Sequence, residues 1–187
     1  MRKKERDIPP MRKTICGRKV IGVAGFKNAG KTTLVEGLVR ALSARGYCVS
    51  TVKHAHHSFD IDHEGRDSFR HRKAGAREVA VVARNRWAII HENPPNEDAP
   101  GLEEMLVRMS PCDLVIVEGY KGGPHPKIEV RNLALDHPRL ADEEPEIVAI
   151  AASGPLKDER LPVFLRDDYE AIADFIVEFM QLGEPKS

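Results

Sequence analysis

The sequence predicts an α/β fold, a predominantly parallel sheet with helices on both faces, and three observations lead there. Short β-branched apolar runs alternate along the chain with stretches of helical period, the pattern of linked βαβ units, and no segment is repeated. The run Asp113-Leu114-Val115-Ile116-Val117 is apolar without alternation, as in a strand buried on both faces. A glycine-rich turn, Gly25-Phe26-Lys27-Asn28-Ala29-Gly30-Lys31-Thr32, joins the first apolar run to the first helix in the pattern G-x-x-x-x-G-K-T.

The elements follow in order. Lys19-Val20-Ile21-Gly22-Val23-Ala24 has the length of one buried strand, and Leu34, Leu38 and Leu42 recur every four residues in the helix after the turn. Gly46 stops that helix, and Cys48-Val49-Ser50-Thr51-Val52-Lys53 is the second strand. A polar loop, 54–66, leads to a helix over 67–74, and strands follow over 78–83 and 87–90. Pro94, Pro95 and Pro100 interrupt the chain before a short helix at 102–109 and the apolar strand that ends in Glu118. Lys127-Ile128-Glu129-Val130 alternates like a half-exposed strand, 146–151 is buried in character, and 162–165 is a last short strand. The final helix starts near Asp168, with Ile172, Phe175, Ile176 and Phe179 on one face.

The turn is a phosphate-binding loop, because strand, turn, Lys-Thr pair and helix agree. Gly25 and Gly30 tolerate crowded or left-handed backbone, so the amides of Asn28, Ala29, Gly30, Lys31 and Thr32 can converge on phosphate oxygens at the positive end of the helix. Lys31 would bridge the β- and γ-phosphates, Thr32 would hold Mg²⁺ through its hydroxyl, and Thr33 would reach the α-phosphate. The chain is therefore expected to be P-loop NTPase-like and to bind a nucleoside triphosphate.

Composition narrows the rest. The 187 residues suffice for one domain, read as 14–187, after a basic arm at 1–13 too polar and Pro-broken to pack; Met11 is an alternative translation start there. Lys plus Arg and Asp plus Glu are both 29, so nothing global points to nucleic acid. Three cysteines without a C-x-x-C pair argue against a disulfide framework or a cysteine zinc site, and suggest a reducing cytoplasm. No apolar run has the length of a membrane span, and the first residues lack the apolar core of a secretory signal.

Further residues gather where strands end, since ligands of open α/β sheets bind at the carboxyl ends of the strands. Glu118 is the expected Mg²⁺-side acid, and Gly119 beside it gives an amide close approach to a γ-phosphate. Asp60 or Asp62, with Asp62 preferred, would take Mg²⁺ directly or through water, against the alternative of a solvated loop with incidental acids. His54, His56, His57 and His63 suit an anionic ligand or a transition metal. Arg66, Arg70 and Arg72 suit phosphate or carboxylate, and Lys121 in the Gly-rich loop after Glu118 could clamp a phosphate.

Taken together, the turn at 25–32, Lys53-His54-Ala55-His56-His57, Gly65-Arg66-Asp67-Ser68 with Ala74-Gly75-Ala76, Arg86-Trp87-Ala88 and Val117-Glu118-Gly119-Tyr120-Lys121 resemble the molybdopterin-guanine dinucleotide biosynthesis protein B family, MobB, over roughly 19–131. The resemblance implies a GTP-binding, slowly hydrolysing dimer, similar to the dethiobiotin synthetase and nitrogenase-iron-protein branch of P-loop proteins. It implies Mg²⁺, a MobA-type nucleotidyltransferase partner, and molybdopterin or its guanine dinucleotide as client ligand, GMP being attached to molybdopterin. His56, His57, Arg66 and Lys121 then join Gly25, Lys27, Asn28, Ala29, Gly30, Lys31, Thr32, Thr33 and Gly119 as binding residues, with Lys31 and Glu118 catalytic and Thr32, Asp62 and Glu118 toward the metal. The family dimer pairs through a strand hairpin, for which 86–92 or 127–131 is the candidate here.

Two points depart from the pattern. Arg66 stands where the family often has Lys, keeping the charge but changing its geometry. No Asn-Lys-x-Asp segment supplies a guanine-reading Asp, so guanine preference rests on the resemblance alone; base contacts are expected in the loop Ala151-Ala152-Ser153-Gly154-Pro155. Read from residues alone, a stand-alone ATP-dependent kinase or ligase and a metal-delivery GTPase using the histidines are the rival functions.

Overall fold

The computed structural model describes Met11 and residues 13–55, 60–94, 96–157 and 159–185. They form two compact units: residues up to His54 together with those from Leu102 onward, and Ala55–Gly101. Among them no helix is long and apolar enough to cross a membrane.

The larger unit is a seven-stranded sheet. Its strands are β1 (Thr14–Ile15), β2 (Arg18–Ala24), β3 (Val49–Lys53), β6 (Leu114–Glu118), β7 (Lys127–Arg131), β8 (Ile147–Ala152) and β9 (Val163–Leu165). Their order is β3-β6-β2-β7-β8-β9, all parallel, with β1 antiparallel to β2. Helices α1 (Lys31–Ala44) and α4 (Tyr169–Phe179) cover one face, where Leu34, Leu38, Leu42, Ile172 and Ile176 meet Ile21, Val23, Ile116 and Ile128. Helix α3 (Leu102–Arg108) covers part of the other, with Leu102 and Leu106 against Val20, Val52, Val115 and Val117. Alternate residues of β2 thus serve opposite faces, and the expected parallel sheet with helices on both sides is what forms.

One strand differs from its reading. Strand β7 is paired on both sides, by β2 and β8, and is fully buried through Val130, although half exposure was expected. Its alternation is real but sorts two interior faces: Ile128 and Val130 enter the α1/α4 core, while Lys127 and Glu129 are buried on the opposite face. That burial is tolerated because the charges are met internally. The Lys127 amine donates to the Gly123 carbonyl at 2.7 Å and lies 3.7 and 3.8 Å from Glu144 and Glu146. Glu129 accepts from the amides of Leu140 and Ala141 at 2.9 and 3.0 Å, and from Arg131. With both edges occupied, 127–131 offers no edge for a dimer strand, which corrects that half of the hairpin expectation.

The connection from β6 to β7 has no helix. Residues 119–126 pass directly over β2, and the Pro126 carbonyl accepts from the Gly22 amide at 2.7 Å. A Cβ at Gly22 would stand 2.8 Å from His125 Nε2 and 2.9 Å from Lys127 Cγ, so only glycine lets the crossover lie this close.

In the smaller unit, α2 (Asp67–Lys73) packs beside the antiparallel ribbon of β4 (Glu78–Ala83) and β5 (Arg86–His91). Val82 faces Trp87 and Ala80 faces Ile89 in register, which puts these side chains on one face of the ribbon. Val82, Trp87 and Ile89 are 77%, 66% and 55% exposed.

Candidate functional site

The P-loop leaves β2 at Ala24 and enters α1 at Lys31. Two of its residues take left-handed backbone, Asn28 at φ 63° and Gly30 at φ 104°, and Gly30 begins the helix without any side-chain cap. The first amides of α1 are therefore left without a side-chain partner from the cap, as an anion-binding helix end requires. Gly25 is needed for another reason, closeness: a Cβ there would lie 2.9 Å from the Val130 carbonyl. Lys27, Asn28, Thr32 and Thr33 are exposed, and Ala29 is buried beneath the loop.

At the mouth of the loop the parallel register of β3 and β6 places Lys53 beside Glu118. The Thr32 hydroxyl lies 3.1 and 3.3 Å from the two oxygens of Glu118, and the Lys53 amine lies 3.4 Å from Glu118 and 3.5 Å from Thr32 Oγ1. Lys31 donates to the Phe26 carbonyl at 2.8 Å. Its pKa is held below the ordinary lysine value, first by burial and then by the cations Lys121 and Lys53, although Glu118 pulls the other way. Gly119, at φ 100°, turns the chain, and the Lys121 amine reaches to 4.8 Å from the centre of the Phe26 ring. A hydroxyl and a carboxylate at hydrogen-bonding distance are the hard oxygen donors that Mg²⁺ takes, and three ammonium groups around them suit a polyphosphate.

The structure thus unites Lys31, Thr32, Glu118, Gly119 and Lys121 with the loop glycines. Asp62 and Arg66 belong to the smaller unit. There the Asp62 carboxylate accepts from Ser68 Oγ at 2.8 Å and lies 3.2 Å from Arg72 Nε, while Arg66 is exposed ahead of α2. Arg72 also pairs with Asp60 at 3.0 Å and Glu92 at 2.8 Å, fastening the 60–62 loop to the helix and the ribbon's end. The Asp62 amide, which donates to Asp60, and Arg72 hold the Asp60 carboxyl below its usual range. His56 and His57 lie outside the described residues. Among those described, no group of three or more His, Cys, Asp or Glu could hold a metal ion.

Two site residues escaped sequence reasoning. Lys53 ends its strand opposite Glu118, and that shared strand-end position is the signal for it in the sequence. Arg166, just past β9, donates to the Ala29 carbonyl at 3.2 Å, and nothing local in the sequence marks it. Behind the P-loop, a cavity of about 140 Å³ is lined by residues including Phe26, Ala29, Arg131, Asn132, His137 and Arg139.

Fold and loop together define an α/β protein of the P-loop NTPase-like class. A family profile described as "Molybdopterin guanine dinucleotide synthesis protein B" matches residues 20–153. The molybdopterin-guanine dinucleotide biosynthesis adapter protein of Escherichia coli is 39% identical over 167 residues, covering 87% of this chain and 93% of its own length. The adapter protein of Haemophilus influenzae is 36% identical over 161 residues, covering 86% and 89%. Among solved structures, a MobB homologue from Bacillus stearothermophilus superposes with a TM-score of 0.65 at 29% identity, covering 87% of this chain and 97% of that one. MobB of Bacillus subtilis gives a TM-score of 0.66 at 26% identity, covering 88% and 98%. The chain belongs to the MobB family.

Proposed function

We propose that this chain is an adapter of molybdopterin-guanine dinucleotide biosynthesis that binds GTP with Mg²⁺ at its P-loop, hydrolyses it slowly, and supports a MobA-type nucleotidyltransferase in attaching GMP to molybdopterin. The observation that carries the nucleotide reading is the meeting of Thr32 and Glu118 at the mouth of an uncapped helix, ringed by Lys31, Lys53 and Lys121. The loop amides and Lys31 hold the β- and γ-phosphates, and Lys121 approaches from the 119–126 crossover. Thr32 and Glu118 would hold Mg²⁺, which would neutralise charge on the phosphate oxygens; Asp62, in the smaller unit, is assigned toward the metal on the family resemblance alone. Lys53, 3.4 Å from Glu118, holds that side chain beside Thr32 and so favours a metal-side role for it. His56, His57 and Arg66 are assigned to the anionic client or nucleotide on the family resemblance.

The protein is also proposed to act as a homodimer through the β4–β5 ribbon. An isolated two-stranded ribbon is at best marginally stable in water, and Val82, Trp87 and Ile89 form one exposed apolar face.

Calorimetric titration with Mg²⁺ and non-hydrolysable GTP and ATP analogues tests the nucleotide reading. GTP is expected to bind with clear preference. Charged hydrogen bonds contribute roughly 1.5–3 kcal/mol each, so Lys31→Ala should weaken triphosphate binding by about one to two orders of magnitude. Unchanged affinity in that variant would refute the site.

A further inference from the structure

We propose that Arg166 and Asp167, at the end of β9, form the base-reading end of the nucleotide site, with Asp167 selecting guanine and Arg166 holding it against the P-loop. The inference rests on the reading that the P-loop binds a nucleoside triphosphate, and it names the residues that set which one.

Direction comes from the sheet. Glu118 and Lys53 end β6 and β3, on one side of β2, and mark where the metal and the terminal phosphate gather. Strands β7, β8 and β9 lie on the other side of β2, so the nucleoside leaves the loop toward their carboxyl ends.

At that edge the structure supplies one direct link to the P-loop. Arg166 Nη1 donates to the Ala29 carbonyl at 3.2 Å, and its Nη1 and Cδ stand 3.0 and 3.1 Å from where a Cβ on Gly30 would be. The same guanidinium donates from Nε to Asp167 Oδ1 at 3.4 Å. One planar cation therefore fixes a carboxylate relative to the phosphate-binding backbone, and Nη2 is used by neither bond.

Three neighbouring carboxylates are committed elsewhere. Glu129 accepts from the Leu140 and Ala141 amides, Glu159 pairs with Arg131 and Arg139, and Asp168 caps α4 through the Ala171 amide. Asp167 is 76% exposed on its side chain and is engaged by Arg166 alone among these contacts. The loop where base contacts were expected contains no carboxylate, and its Ser153 hydroxyl already accepts from the Leu133 amide at 2.9 Å.

Guanine presents a ring N1–H and a 2-amino group side by side, a donor pair that a carboxylate accepts with both oxygens. Adenine presents an acceptor at N1, which a carboxylate repels. A site built on such a carboxylate therefore rejects the wrong base strongly, because the mismatch leaves the charge unpaired.

The test is calorimetry on the full chain with Mg²⁺ and non-hydrolysable GTP, ATP and xanthosine triphosphate analogues. Asp167→Asn should lower affinity for the GTP analogue roughly 10- to 100-fold, the loss of charged hydrogen bonds, while ATP-analogue affinity holds within about 2-fold. The same variant should gain affinity for the xanthosine analogue, roughly 10-fold, because the new amide donates to the 2-oxo group. A merely structural role would not produce that gain. Asp136→Asn, the change of another exposed carboxylate at this edge, should leave every affinity unchanged. If the unaltered protein prefers GTP and Asp167→Asn keeps that preference, the proposal fails. It fails equally if the preference moves with Asp136→Asn or with Asn132→Ala in the cavity. If the unaltered protein binds no nucleotide, the P-loop reading falls, and this assignment with it.

Discussion

His125 should make the stability of this protein fall steeply in mild acid. Its ring is fully buried between Gly22 and Gly123, neither nitrogen has a hydrogen-bond partner among the described residues, and Lys127 is close by. Burial first, and then the Lys127 charge, push its pKa down from 6.5 to about 4. A depressed histidine pKa means that the folded state binds fewer protons than the unfolded chain between those two values. Stability is therefore greatest above pH 6.5 and is lost as pH falls toward 4. Integrating the linkage relation over that shift gives a loss of ~2 kcal/mol between about pH 7 and pH 5. For a chain of this size that corresponds to about 4–8 °C in thermal midpoint. Because other groups also titrate, the measurement is the difference in pH slope between the native sequence and His125→Leu. The variant is expected to be less stable at pH 7 through its altered fit, yet flatter from pH 7 to 5. Equal slopes in the two proteins would refute the claim that a neutral, desolvated His125 carries this pH dependence.

Three further outcomes follow from the same structure. Gly22→Ala forces a methyl group against His125 and Lys127, so chemical denaturation should show a loss of about 1–3 kcal/mol, largely relieved in the Gly22→Ala/His125→Ala double variant. Lys31→Met removes a cation whose pKa is depressed by burial, a charge that opposes folding at neutral pH, so the nucleotide-free variant should melt no lower than the parent by calorimetry while losing triphosphate binding. Val82→Glu on the exposed ribbon should convert a dimer to a monomer in sedimentation equilibrium without lowering the thermal midpoint of the larger unit; a dimer that persists would exclude the ribbon as the interface.

Much of the fold was legible because its signals are local and mutually consistent. The P-loop, the helix after it and the apolar β6 each announce themselves within a few residues, and the strand-end position of Glu118 followed from β6 alone. Alternation in β7 was also legible, but which environment lies on each side was not. Period two separates the faces of a strand; it does not say that both are covered, and here the second face is covered by the segment that supplies the Leu140 and Ala141 amides to Glu129. Gly22 in mid-strand carried a signal of close backbone approach, whose cause, the helix-free crossover at 119–126, depends on strand order and cannot be read from spacing. Arg166 is further still from legibility, because its partner Ala29 is 137 residues away and joined to it only through the folded sheet.

The same geometry explains why this site is disposed toward anions before any is bound. Lys31 and Lys53 flank the Glu118 carboxylate, Lys121 adds a third cation acting on Lys31, and Glu118 does not offset what burial and the other two cations do to Lys31, since its pKa remains depressed. In the free protein the cluster is under mutual repulsion, partly relieved by the Lys31 bond to the Phe26 carbonyl and the Thr32 and Lys53 contacts with Glu118. On the proposed reading, a triphosphate with its metal ion would supply the missing negative charge, turning those repulsions into attractions, and the folded state would gain stability with the logarithm of ligand concentration over Kd. The Lys31 pKa would then rise on binding, so affinity is expected to hold until pH approaches the depressed value of the free protein. Above it, deprotonation of Lys31 would oppose nucleotide binding, so affinity should weaken with rising pH even as the Lys31 contribution to the nucleotide-free fold becomes more favourable over that interval.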